Sequence, residues 1–186
     1  MDRVILQENP QLFDKVIAEM QQGIANSVPW LNHVFGRAER LVKMANGRKY
    51  YTPNVYIGGT EYMPVAPDSG IGNFAFFVTD DPTEIVDFST HVRNKLKTPF
   101  GLIVWMDMRT VGDGRNTMSV KAELLNALSG RFLIRSGRWE ISEIYERAEN
   151  IYSGFSLDEV NNQFLMHPFA GFRFDGTLYT QEECYD

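Results

Sequence analysis

The chain has 186 residues, of which 44% are hydrophobic and 13% aromatic, and its formal net charge is −6 at pH 7. This length suits one well-cored domain, and the hydrophobic share argues against a disordered chain. The single cysteine, Cys184, excludes an internal disulfide and a cysteine-built metal site, and no apolar run reaches the roughly 18 residues of a membrane-spanning helix.

The charge is unevenly distributed along the chain. Residues 1–50 carry seven Lys and Arg against five Asp and Glu, whereas residues 140–186 carry two against ten. The acidic end argues against a general nucleic-acid surface, because phosphate binding needs clustered cations. The gradient fits either an acidic solvated face or polar self-association, in which one end of a subunit meets the other end of the next.

The first predicted element is a helix. Asn9 suits the N-cap and Pro10 the first turn, and an apolar stripe at helical spacing continues as far as Asn26. The stripe consists of Phe13, Val16, Ile17, Met20 and Ile24. Residues 28–36 are predicted to form a short apolar turn or half-helix.

A β-hairpin is predicted over residues 37–59. Asn46-Gly47 forms its turn, because both residues accept the positive φ of a type I′ turn. Pro53 lacks a backbone donor and therefore predicts an edge strand or a bulge on the return. Residues 58–72, rich in Gly and Pro, are predicted to be loop. Together, residues 37–72 are expected to form a protruding arm.

Three further strands and a second helix follow. Residues 73–79 predict a buried strand, residues 100–108 the most apolar and central strand, and residues 172–179 a half-buried strand. The helix covers residues 117–130. Its apolar face is predicted to consist of Met118, Ala122, Leu125 and Leu128.

Two segments give mixed signals. Residues 86–96 fit a strand or a helix, and residues 131–155 are apolar at both periods. Ser156 and Glu159 form a capping box before a short helix.

Because strands and helices do not alternate regularly, the chain is predicted to be one α+β domain over residues 1–186. Its sheet is expected to be mostly antiparallel (mixed), with helices packed on one face.

The carboxylates after the first buried strand are the main candidates for chemistry. They are Asp80, Asp81, Glu84 and Asp87. This cluster fits a divalent-cation site or an acid–base pair, and it equally fits an ordinary strand-ending turn. The three histidines share no ligand or triad spacing: His33, His91 and His167. No catalytic residue, metal ligand or cofactor is predicted.

Asp107 is a carboxylate within the most apolar strand. A charge in that setting must be paired or face solvent. Arg109 lies two residues further on, on the same face of a strand, and is the predicted partner.

Tyrosines concentrate in and near the predicted hairpin. Because Tyr keeps one polar end, such a hairpin is typical of a protein interface or of core packing. The candidate interface residues are Trp30, Arg48, Tyr50, Tyr51, Tyr56, Tyr62, Arg173 and Asp175. Stacking on single-stranded nucleic acid is an alternative, because five cations flank the tyrosines. These cations are Arg37, Arg40, Lys43, Arg48 and Lys49.

The last strand supplies the two charged candidates. Phe172, Phe174 and Leu178 alternate with polar residues and are predicted to face the core. Arg173 and Asp175 are predicted to pair on the opposite face, either with each other or across strands. That polar face is expected to be available to a neighbouring subunit.

Three segments resemble a known class of protein. They are GNFAFFVTDDP (72–82), TPFGLIVWMDMRTV (98–111) and ENIYSGFSLDEVNNQFLMHPFAGFRFDGTLYT (149–180). In this order they are similar to small phage or prophage structural proteins of the tail-terminator or head–tail-joining type. The resemblance implies a compact α+β subunit without catalytic residues that assembles as a ring on a tail tube or connector. It assigns a role to no individual residue.

The leading hypothesis is therefore a non-enzymatic virion assembly protein that forms a homo-oligomeric ring. Tail terminator, head–tail joining protein and minor tail protein all fit, in the virion or the cytoplasm of a bacterial host. The expected partners are copies of the chain and other tail or connector proteins, with no membrane. Two alternatives stay open: a small metal- or ligand-binding enzyme using the carboxylates near 80–87, and a single-stranded nucleic-acid binder on the tyrosine hairpin.

Overall fold

The computed structural model describes residues 1–45, 47–68, 70–80, 82–87, 95–130, 134–156 and 166–181. Within these residues the strands are β1 (His33–Ala45), β2 (Arg48–Gly58), β3 (Glu61–Pro64), β4 (Phe74–Thr79), β5 (Glu84–Asp87), β6 (Lys95–Asp107), β7 (Gly137–Tyr145) and β8 (Phe169–Gln181). The helices are α1 (Phe13–Ser27), α2 (Met108–Val111), α3 (Thr117–Gly130) and α4 (Ala148–Ile151).

The described strands form one mixed sheet in the order β3-β2-β1-β4-β6-β8-β7, and β5 pairs with β6. The β1–β4 pair is parallel, whereas the other named pairs are antiparallel. The predicted α+β class with a mixed, mostly antiparallel sheet is therefore confirmed.

Strand β6 is central, as its apolar sequence predicts. It pairs with β8 along its whole length, from Lys95 opposite Gln181 to Asp107 opposite Phe169. Its other edge pairs with β4 and, near the start of the strand, with β5. A strand that is buried on both faces and paired on both edges must be apolar, which explains the run of apolar residues in β6.

Both faces of the sheet carry an apolar core. Helices α1 and α3 pack on one face, against side chains that include Leu102, Val104 and Phe174. The short helix α4 supplies Ile151 to the other face, beside Trp105. The two longer helices thus share one face, as predicted, and α4 covers part of the opposite face.

Helix α1 begins later than its sequence predicts. The helix starts at Phe13, and Leu12 holds the N-cap position without a side-chain hydrogen bond. Asn9 and Leu12 have φ values of 53° and 48°, which lie in the left-handed region and break the helix before Phe13. The predicted cap at Asn9 is therefore wrong. Of the predicted stripe, Val16, Ile17, Met20 and Ile24 are buried and Phe13 is partly buried.

Helix α3 buries a different stripe from the predicted one. Its buried residues are Val120, Leu124 and Ala127. Met118, predicted to face the core, is 63% exposed. Because this helix carries apolar residues on several sides, its sequence does not define one buried face. Contact with α1 and the sheet determines which face of α3 is buried.

The hairpin region pairs more extensively than predicted. Strand β1 already begins at His33, inside the segment predicted as turn or half-helix. Strand β3 lies inside the predicted loop 58–72 and pairs with β2. Strand β2 is consequently interior, and Pro53 sits opposite Arg40 while its carbonyl accepts from the Val65 amide at 2.9 Å.

Several predictions fall outside the described residues. They concern Asn46 of the hairpin turn, Asp81, residues 88–94, the short helix after Ser156, and Cys184. Gly47 is described and has a φ of 74°, in keeping with the turn predicted there.

Candidate protein interface

The turn end of the β1–β2 hairpin is the most exposed part of the sheet region predicted as an arm. Residues 40–44 and 47–49, here called the hairpin tip, are exposed. The base of the same hairpin is buried: Val55 is 0% exposed and Ala38 is 9% exposed. Residues 37–72 are thus built into the sheet, and their exposed residues concentrate at the tip and around β3. That the arm protrudes stays a prediction.

Three large apolar side chains of the hairpin tip face solvent. Leu41, Val42 and Met44 are 46%, 53% and 64% exposed. Because side chains alternate along a strand, Val42 and Met44 lie on one face of the hairpin and Leu41 on the other. Val42 and Met44 are thus neighbouring exposed apolar side chains on one face, and exposed apolar clusters are typical of a surface that a partner covers.

The hairpin tip is also strongly cationic. It carries Arg40, Lys43, Arg48 and Lys49 and no carboxylate. The Arg40 guanidinium lies over the Tyr51 ring, 4.3 Å from its centroid. Among the described residues, no carboxylate forms an ion pair with these four cations.

Tyr50 and Tyr51 lie where the hairpin enters the body of the sheet, and both are partly buried. The Tyr51 amide donates to Ser156 Oγ at 3.1 Å, and the Ser156 amide donates back to the Tyr51 carbonyl at 2.9 Å. These two bonds hold β2 to the segment that follows α4. Tyr51 therefore lies at the fixed junction between the exposed tip and the buried base.

Tyr56 and Tyr62 pack on each other across β2 and β3. Their ring centroids are 5.9 Å apart in an edge-to-face arrangement. Tyr56 is buried and Tyr62 is 45% exposed. Of these two interface candidates, only Tyr62 presents substantial surface to a partner.

Trp30 is not available for an interface. It is 8% exposed, and its Nε1 donates to Glu123 Oε2 at 3.0 Å. The same carboxylate oxygen accepts from Arg115 at 2.6 Å. Trp30 thus ties the residues after α1 to helix α3, a structural role that corrects its place among the interface candidates.

Arg173 and Asp175 form the predicted pair, but their setting differs from the prediction. Arg173 is only 5% exposed. Its guanidinium donates to Asp175, to the Ser153 carbonyl at 2.9 Å and to Asp80 at 3.3 Å. The arginine is therefore an internal tie among three segments, and the prediction that it meets a neighbouring subunit conflicts with its burial.

Glu84 and Asp107, the other described carboxylate candidates, are paired as well. Glu84 pairs with Lys97 at 3.4 Å. Asp107 pairs with Arg109 as predicted, at 2.7 Å, and Arg109 holds the pKa of that carboxyl below its ordinary value by hydrogen bonding to it. The side chain of Asp87 lies outside the described residues. In the described part of the chain, no group of three or more His, Cys, Asp and Glu is placed to hold a metal ion.

A cavity of about 210 Å³ lies on the α4 side of the sheet. Trp105 and Phe169, whose stacked rings are 5.2 Å apart, form part of its wall. Tyr152 lines it too, and burial raises the pKa of its phenol well above the ordinary value. Thr117 and Glu146 also border the cavity, so its lining is mixed, and the phenol stays protonated at neutral pH.

A groove at the β7 end of the sheet was not predicted from the sequence. It runs between helix α3 and strand β7, and we call it the α3–β7 groove. Its lining includes Leu125, Leu128, Trp139, Ile141, Glu143 and Ile144. The mixed periodicity of residues 131–155 was the only sequence signal for it, because a strand that borders a groove is apolar without strict alternation.

Comparisons with known proteins give no family assignment. No model of a known protein family matches this chain, and a search among curated proteins found no matching relative. Among the helices that the structure describes, none has the length and apolarity needed to cross a bilayer.

Proposed function

We propose that this chain is a non-enzymatic assembly subunit of a phage or prophage tail or connector, and that its copies form a ring. The observation that carries the proposal is the hairpin tip, where three exposed apolar side chains lie among four cations that form no ion pair with a described carboxylate. The three sequence segments that resemble tail-terminator and head–tail-joining proteins add to it.

The hairpin tip has the composition of a binding surface. Covering Leu41, Val42 and Met44 removes apolar area from water, which favours association by roughly 25 cal/mol for each Å² buried. The surrounding cations restrict which surfaces can cover it, because an acidic partner is attracted and a basic one repelled. Paired strands also hold these side chains in fixed positions, which lowers the entropy lost on binding.

The ion pairs of the chain support a structural role. Asp80, Glu84 and Asp107 each contact a cation of the same chain. Arg173 joins β8 to the segment after α4 and to the end of β4. The contacts of Arg173 connect segments that lie far apart in the sequence, whereas the pairs of Glu84 and Asp107 are local, and all three carboxylates are engaged in structural contacts.

The experiment uses purified chain together with tail tubes and connector complexes of the phage or prophage that encodes it. We expect ring particles by negative-stain microscopy, either free at high concentration or on the end of a tube. Val42→Glu should abolish binding, because it places a charge within the apolar part of the tip. Met118→Glu, at an exposed methionine on α3, is the matched control and should bind normally. A chain that neither forms rings nor binds tube or connector contradicts the proposal.

A second candidate function is binding of single-stranded nucleic acid, favoured by the stacking of Arg40 on Tyr51 within the cationic tip. Anisotropy titrations with a poly(dT) oligonucleotide over a salt series test it. If all four cations contact phosphates, log K should fall with log salt with a slope of about −3. Lys43→Ala with Arg48→Ala should weaken this binding, whereas the absence of salt-dependent binding excludes it.

A further inference from the structure

The two ends of the sheet carry surfaces that complement each other. Strands β2 and β3 lie at one end of the strand order, and β7 lies at the other. The hairpin tip belongs to the first end and the α3–β7 groove to the second. The same chain therefore carries one exposed tip with apolar and cationic side chains, and one recess lined by both apolar and polar side chains, at opposite ends of the strand order.

The groove offers apolar contacts to an inserted side chain. Leu125 and Leu128 of α3 form one wall, and Trp139 and Ile141 of β7 form the other. These four residues are partly buried, and Ile144 at the end of the groove is 37% exposed. Among the described strands, β7 pairs only with β8, so its outer backbone edge borders the groove.

The charge near the groove is opposite to that of the tip. Residues 140–149 contain four glutamates and one arginine, whereas residues 40–49 contain four cations and no acid. Arg138 pairs with Glu140, and Lys121 pairs with Glu146. Glu143 lines the groove and accepts a hydrogen bond from the Tyr145 hydroxyl, and no described cation pairs with it.

We infer that the hairpin tip of one copy docks into the α3–β7 groove of a second copy. Val42 and Met44 enter between α3 and β7, and the tip cations approach Glu143. The inference rests on the proposed function and names the contact by which copies would join. Two tips repel each other because both are cationic, so the contact joins unlike surfaces. Repeated head to tail from copy to copy, such a contact closes into a ring or continues as a filament.

Two blocked variants test the contact. Val42→Glu blocks the tip and leaves the groove intact. Ile144→Lys combined with Glu143→Lys blocks the groove and leaves the tip intact. Both changes lie at exposed positions, so both variants should keep the circular dichroism spectrum and unfolding midpoint of the parent chain. Met118→Glu is the matched control for a new charge at an exposed apolar position.

Sedimentation velocity up to about 1 mM is the readout. We expect the parent chain and Met118→Glu to self-associate, and each blocked variant to associate at least about tenfold more weakly. A mixture of the two blocked variants should form a 1:1 dimer and nothing larger, because only one tip and one groove remain functional. A contact between two tips or between two grooves, or a contact elsewhere, cannot give this result.

The outcomes separate the inference from the proposed function. If the parent chain associates and the blocked variants associate equally well, or their mixture gives no dimer, the docking is overturned while a ring remains supported. A parent chain that stays monomeric at about 1 mM also overturns the docking, and the proposed function is then decided by tube and connector binding alone. A tip that binds only poly(dT), with no heterodimer, overturns it in favour of nucleic acid.

Discussion

Arg173 Nε donates to both carboxylate oxygens of Asp175, at 2.7 and 2.9 Å, from a side chain that is almost fully buried. Removing the arginine would leave Asp175 and the Ser153 carbonyl without their donor. We expect Arg173→Ala to lower the free energy of unfolding by about 2 kcal/mol, because the partly buried Asp175 carboxylate and the Ser153 carbonyl lose their charged donor. Urea unfolding measures the loss, with the exposed Arg138→Ala as matched control. Equal stability of the two variants would contradict the internal role of Arg173.

Phe174 is fully buried in the core on the α1 and α3 side. Phe174→Ala should cost about 3–5 kcal/mol of unfolding free energy, through lost burial and the cavity left behind. Val42→Ala, at a residue 53% exposed, is the control and should change stability little. Thermal or urea unfolding distinguishes them, and an unchanged midpoint for Phe174→Ala would refute the orientation of β8.

Asn73 connects three segments through one buried side chain. It donates to the Trp30 carbonyl at 3.0 Å and to Thr110 Oγ1 at 2.9 Å, and it accepts from the Asp107 amide at 2.8 Å. Asn73→Ala should destabilise the fold by about 3 kcal/mol, because it leaves buried donors and acceptors without a partner, and each of these costs about 1–3 kcal/mol. The exposed Asn126→Ala is the matched control. Hydrogen exchange should report faster exchange at the Asp107 amide in Asn73→Ala.

Gly176 sits opposite Ile141 next to a register shift in β7. A Cβ placed there would lie 1.9 Å from the Glu140 carbonyl oxygen, which is too close for any side chain. Gly176→Ala should therefore cost about 1–3 kcal/mol, as overpacking does. At Gly70 the nearest atom to a Cβ would be 3.5 Å away, so Gly70→Ala is the control. If both variants unfold at the same urea concentration, the close approach of β7 and β8 is wrong.

The contribution of Asp107 to the free energy of unfolding depends on pH. Arg109 holds the pKa of Asp107 below its ordinary 3.8, so this contribution is present above about pH 3.8 and is lost as the pH falls through the lower folded value. Asp107→Asn keeps an N-cap acceptor for α2 and removes the charge. We expect it to be less stable at pH 7 by under about 1 kcal/mol, because Arg109 is exposed.

The difference between Asp107→Asn and the parent chain should shrink when unfolding is measured at pH 3. Asp113→Asn, at an exposed carboxylate in the following turn, is the matched control for the loss of an exposed charge. A difference that stays constant from pH 7 to pH 3 would assign the effect of Asp107→Asn to packing.

Local patterns in the sequence predict much of the fold. The buried strands β4 and β6, the hairpin and helix α3 follow from apolar runs, alternation and turn residues, because these features act over a few neighbouring residues. Strand β3 escaped prediction, since its Gly- and Pro-rich surroundings favour loop and its pairing depends on β2. The tyrosine hairpin was predicted as a binding surface, but its exposed apolar residues, Leu41, Val42 and Met44, were not singled out.

The sequence by itself determined the α+β class, the central strand and the core face of β8, because hydrophobic periodicity specifies which side of an element leaves water. Only the tertiary structure decided which polar residues are internal. Arg173 looks like a surface residue by alternation, yet it is buried because Asp80, 93 positions away in the sequence, and the segment after α4 meet it. Trp30 is held by Glu123, also 93 positions away. The burial of a charge or an amphipathic ring depends on such distant partners, and no local pattern records them.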